Sequence, residues 1–68
     1  MRDDIINAVR EADKDTLIDV ALTFKMITKA DVDEYFESGK LPKNATKTNI
    51  RKRALADEDI AEYLLLTI

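Results

Sequence analysis

The 68-residue chain has no cysteine, no histidine and no tryptophan, and only one glycine and one proline. Without cysteine it can form no disulfide, thiolate metal site or thiol nucleophile. Without histidine it lacks the commonest general base and an imidazole ligand. One glycine is too few for the loops that wrap nucleotide phosphates. No apolar run approaches the roughly 18 residues that a membrane helix needs. The opening Met-Arg-Asp-Asp does not follow the charged-then-apolar order of a signal peptide. These absences predict a cytoplasmic protein that is not an enzyme, with no metal, no cofactor, no membrane association and no small-molecule substrate.

What is present has the balance of one soluble domain, with 46% hydrophobic and 37% charged residues. A domain of this size buries only about 60% of the surface its unfolded chain exposes, so it is marginal without a staple, and a homodimer is one way to gain stability. The formal charge of −3 conceals three blocks. Residues 1–38 carry a net −5, residues 39–56 carry +6 with no acid, and residues 57–68 carry −4.

Apolar positions recur at helical spacing, and the chain has too little turn punctuation for a β protein of its length. The fold class is therefore read as all-α, a compact bundle of four or five short helices in which a helix-turn-helix-like arrangement stays open. A first helix is expected from Asp3 to about Ala12, with Ile5, Ile6, Val9 and Ala12 inward. A second, from about Asp15 to Lys25, would set Leu17, Ile18, Ala21, Leu22 and Lys25 on a broad buried face, with Val20 and Phe24 widening it.

Thr28-Lys29-Ala30-Asp31 has capping-box spacing, and Ile27 and Val32 flank it as a hydrophobic staple, so a third helix should begin at Lys29. It should end at Ser38-Gly39, because glycine takes the left-handed conformation without steric cost and Pro42 blocks continuation. Val32, Tyr35 and Phe36 form its apolar stripe.

A fourth helix, capped by Asn44, Thr46 or Thr48, would turn Ile50, Ala54 and Leu55 inward and Lys47, Arg51 and Lys52 outward. A break near Ala56, capped by Asp57, sets three cations at the negative end of one helix against three acids at the positive end of the next. One continuous helix is the competing reading. The last helix carries Ile60, Ala61, Tyr63, Leu64, Leu65, Leu66 and Ile68 nearly all round its axis, as a central or interfacial helix does.

Carboxylates are the only catalytic material in this composition, and acid–base work needs one of them held in an apolar or like-charged pocket. Here they fall on outer faces and at helix starts. Asp13-x-Asp15 and Asp31-x-Asp33 resemble the opening of a calcium loop but lack its sixth-position Gly and twelfth-position Glu. The basic segment 43–53 is the better candidate for binding. On a continuous helix Lys43, Lys47, Arg51 and Lys52 would share a face suited to phosphate contacts or to an acidic partner. The bland alternative is a solvated or intramolecularly paired face, and the flanking acidic blocks would repel a polyanion.

Residues 20–40, VALTFKMITKADVDEYFESGK, resemble the central segment of the SinI-type anti-repressors, the match falling on Ile27, Thr28, Asp31, Val32, Tyr35 and Phe36. The resemblance implies a helical hairpin that pairs with the hairpin of a DNA-binding repressor, without chemistry. The phrase Tyr35-Phe36-Glu37-Ser38-Gly39-Lys40-Leu41-Pro42 is similar to the end of the recognition helix in excisionase and MerR-type helix-turn-helix proteins. Asp31, Asp33, Glu34 and Glu37 make that helix acidic, so phosphate repulsion would leave the fourth helix as the better reader of a duplex.

The sequence thus points to a small regulatory or adaptor protein of bacterial or phage type, acting by protein–protein interaction on another protein such as a transcription regulator. Ile27, Val32, Tyr35, Phe36, Leu64 and Leu65 are the expected core-plus-contact positions, and Lys43, Lys47, Arg51 and Lys52 the expected contacts to an acidic partner or nucleic acid. The alternatives are a small DNA-binding domain using residues 43–53 and a structural subunit of a larger assembly.

Overall fold

The computed structural model describes residues 2–67, and among them lie five α-helices of ten residues each. They are α1 (Arg2–Glu11), α2 (Lys14–Thr23), α3 (Lys29–Ser38), α4 (Lys47–Ala56) and α5 (Glu58–Thr67), with a 3-10 turn at Lys43–Ala45 ahead of α4. The described residues contain no strand, so the molecule is an all-α bundle. Its Cα radius of gyration is 11.1 Å, against about 11 Å for a folded chain of this length.

Ten-residue helices do not persist alone in water, so burial must hold them. α1, α4 and α5 pack on one another, α2 lies across α4, α5 and the 3-10 turn, and α3 is attached chiefly through α2. Val9, Leu17, Val20, Ile50, Ile60 and Leu64 are the largest fully buried side chains, each worth about 1.5–3 kcal/mol of hydrophobic stabilisation. Among the described residues no charged or other polar residue is buried, and no buried side-chain nitrogen or oxygen lacks a hydrogen-bond partner.

The helix ends follow local chemistry. Asp13 caps α2 by accepting from the Thr16 N–H at 2.8 Å. The capping box of α3 is closed in both directions, with Asp31 N–H donating to Thr28 Oγ1 at 3.3 Å and Thr28 N–H donating to Asp31 Oδ2 at 2.9 Å. Ile27 is buried and Val32 half-buried beside it, as a staple requires. Gly39 ends α3 in the left-handed conformation at φ 74°. α4 and α5 are separate helices, because Asp57 is extended at φ −136°, ψ 112° and its Oδ1 accepts from the Asp59 N–H at 2.9 Å.

Four details differ from the sequence reading. α2 stops at Thr23, two residues early, since Lys25 turns left-handed at φ 58°; that residue is exposed, off the buried face expected for it. Its N–H reaches the Leu22 carbonyl while the Met26 N–H reaches Ala21 at 2.8 Å, a closing pattern that usually employs glycine. Leu22 lies roughly 130° round from the centre of the buried stripe and is exposed, whereas Val20 is fully buried. In α1, Ala8 is buried and Ile6 only half-buried. Finally, Thr46 occupies the N-cap position of α4 without capping it, its hydroxyl donating back to the Lys43 carbonyl at 2.9 Å.

Candidate functional site

The interaction residues expected from the sequence divide sharply by depth. Leu64 and Ile27 are core, packed with Leu17, Ile18 and Ile60. Tyr35 is the one buried residue of α3. Its hydroxyl donates to Asp15 Oδ1 at 3.3 Å. Burial raises the Tyr35 pKa above the ordinary value, and the charge and hydrogen bond of Asp15 raise it further. Val32 is half-buried. Only Phe36 and Leu65 offer substantial surface, at 72% and 38% exposure. Phe36 is therefore not part of an inward stripe: α3 meets the body along the Tyr35 side, and the Phe36 ring, 5.5 Å from that of Tyr35, projects past the edge of the contact.

The basic residues are divided as well. Lys43 belongs to the 3-10 turn, and Thr46 is extended at ψ 155°, so the continuous helical face from Lys43 to Lys52 does not form. The Lys47 ammonium donates to the Arg10 carbonyl, placing a cation at the negative end of α1. Arg51 and Lys52, with Arg53, remain exposed on α4. Lys52 and Arg53 border a recess of about 220 Å³ together with Met26, Asn44 and Asn49.

A predominantly apolar opening lies elsewhere, between α1 and the α4–α5 corner. A groove of about 470 Å³ is floored by Ile5, Ala54, Leu55 and Ala61 and edged by Leu65 and Leu66, while Asp57, Glu58 and Glu62 line its polar side. Leu65 also borders a shallower recess of about 340 Å³ with Asn7, Ala8 and Glu11, so the two openings adjoin along α5. Leu66 is 80% exposed, the most exposed large apolar side chain described.

Leu66 was missed because all-round apolarity did not say which side of α5 turns outward. Once Ile60, Ala61 and Leu64 define the inner stripe, 100° per residue puts Leu66 roughly opposite it. The far face of α5 is covered by nothing described. On its inner side the helix is fixed to α2 by Tyr63, which donates to Asp19 Oδ2 at 2.6 Å and stacks edge-on against Phe24 at 5.4 Å. Ile68, expected on the same helix, lies outside the described residues.

Among the described residues no group of three or more carboxylates is gathered closely enough to hold a metal ion. No described helix is long and apolar enough to cross a membrane. No protein-family model, curated protein or solved structure matches the chain.

Proposed function

We propose that the chain is a non-enzymatic interaction module of the regulator or adaptor kind, which binds another protein through the outer face of α5 and the groove beside it. One observation carries this reading: Leu65 and Leu66 stand exposed at the edge of an apolar groove that the described residues leave open. A 68-residue domain gains little by keeping leucines in water when its own core is marginal, and an uncovered apolar patch rimmed by polar residues is the usual mark of a binding surface. Its carboxylates support the same reading, since none of the described aspartates and glutamates is in the desolvated setting that acid–base catalysis needs. The similarity of residues 20–40 to an anti-repressor hairpin makes a transcription regulator the first partner class to try.

The test is comparative affinity capture with the wild-type chain and Leu66→Gln, a neutral change at an exposed helical site. Proteins held by the wild type and lost with the variant, which stays fully helical, are the expected result. Identical capture by both chains overturns the assignment of the surface.

A second reading, duplex binding through α4, is favoured by the exposure of Arg51, Lys52 and Arg53. In a salt titration with duplex DNA, neutralising Arg51 and Lys52 should weaken binding and flatten the salt slope by about one unit per lost phosphate contact. Absence of binding to any duplex at low salt ends this reading.

A further inference from the structure

The groove beside α5 has a charge as well as a shape. Asp4, Glu11, Asp57, Glu58 and Glu62 line its two adjoining recesses, and no lysine or arginine does. One oxygen of Asp57 serves the α5 N-terminus, and the three glutamates are exposed. An occupant must therefore bring apolar side chains for Leu55, Leu65 and Leu66 and cations for the rim.

Its backbone is constrained too. The described residues offer no strand edge, so an extended peptide would find no ladder to join, whereas a helix satisfies its own backbone and needs only side-chain contacts. Ten-residue α5 is about 15 Å long, which seats roughly three turns of a bound helix.

A second copy of this chain does not meet these requirements. Groove-to-groove pairing would set the five carboxylates of one copy against the same five of the other. The one strongly basic helix, α4, has already buried Ile50 and Ala54 in its own core, and its remaining large apolar side chain, Leu55, is part of the groove itself.

Resting on the interaction reading of this same surface, we propose that the α1/α4/α5 groove receives a basic amphipathic helix of a partner protein. The partner's leucine-type side chains enter between Leu55 and Leu66, and its lysine or arginine stems lie over the groove edge with their charges at Glu58, Glu62 and Glu11. Electrostatic attraction sets the encounter rate and the choice of partner, and the leucines supply most of the affinity.

The experiment uses two synthetic peptides of about 18 residues, long enough to form helix. Both carry leucines at helical i, i+3, i+4 and i+7 spacing, one with lysine and one with glutamate at every other position. Binding is followed by amide chemical shifts of the intact chain. The lysine peptide should move the signals of Leu55, Glu62, Leu65 and Leu66. Its affinity should fall about tenfold with Leu66→Gln, the loss of one leucine anchor. It should fall about threefold or more at low salt with Glu58→Gln plus Glu62→Gln. The glutamate peptide should bind at least about tenfold more weakly.

Equal binding of both peptides at these residues overturns the basic partner and leaves the interaction surface standing. A wild-type dimer that Leu66→Gln dissolves does the same, with a second copy as the occupant. Lysine-peptide shifts centred on Phe36, or none at the groove from either peptide, overturn the groove itself and with it the proposed function.

Discussion

α3 and α4 are each ten residues long and are held in place by opposite means. α3 has a reciprocal capping box, a staple and a left-handed glycine stop, yet it buries one residue, Tyr35. Beyond that packing it is tied to the rest by Tyr35 on Asp15 and by the Lys14 ammonium on the Gly39 carbonyl at 3.1 Å. α4 has no side-chain cap hydrogen bond at its start, yet Ile50 and Ala54 are all but sealed from solvent between neighbouring helices. Local signals specify where α3 begins and ends, while packing specifies that α4 exists at all. The helix easiest to read in the sequence is thus the one least integrated into the fold.

The strongest way to break this comparison is to cut into the α4 side. A 68-residue domain has roughly 3–10 kcal/mol of total stability. Ile50→Ala, at a position with no solvent exposure, should remove about 2–5 kcal/mol and bring the chain to the edge of unfolding. Ile50→Val should cost about 0.5–1.5 kcal/mol and keep the fold. Urea denaturation with an unchanged slope for the valine variant checks that the loss is packing alone. If the alanine variant were as stable as wild type, α4 would not be the element the core depends on.

The complementary cut removes the α3 signal. Thr28→Ala should cost about 1 kcal/mol through the lost cap, and because α3 is peripheral the cost should be local. Amide exchange should quicken across residues 29–38 and stay unchanged at the core of α4 and α5. Uniform acceleration through the molecule would show α3 to be part of the same cooperative unit as the body.

At the joint between α2 and α3 the structure departs from its own best local choice. Lys25 is left-handed at φ 58°, where a β-carbon crowds the following carbonyl and glycine does not. Lys25→Gly should stabilise the fold by about 0.5–1 kcal/mol, read as a higher urea midpoint. A fall in stability would mean that the lysine side chain, and not the turn geometry, is what the joint requires.

These same residues explain what could be read from sequence. Thr28, Asp31 and Gly39 act through neighbours within three or four positions, so spacing alone located α3. The Asp57 break was legible because the charge reversal from Arg53 to Glu58 matches two helix dipoles meeting. Lys25 was not legible, since nothing in a lysine announces positive φ, and helical periodicity alone carries α2 two residues too far. Thr46 was one of three equivalent caps until the Lys43 carbonyl claimed its hydroxyl. The split of Tyr35 from Phe36, and of Leu64 from Leu66, depends on which helices cover which faces. That is set by contacts far apart in the chain, where periodicity has no reach. The candidate groove was hidden for the same reason, being assembled from Ile5, Leu55 and Leu65, which no local pattern unites.

The smallest expected effect concerns Asp13, whose cap on α2 is chemically a cousin of the α3 box but carries a titrating charge in the open. The Thr16 backbone N–H, and then its side chain, hold the Asp13 carboxyl below the ordinary aspartate value of 3.8. A carboxylate whose folded pKa is depressed binds fewer protons folded than unfolded between the two values, so stability rises with pH there. The contribution is complete above about pH 4 and is lost as pH falls through the folded value. Asp13→Asn keeps a cap acceptor without the titration. Between pH 6 and pH 4.5 wild type should therefore hold a small constant advantage over the variant in urea midpoint. Below pH 4 that advantage should shrink to nothing. An advantage that does not shrink at all as the pH falls below 4 would place the benefit of Asp13 in its shape and not in its charge.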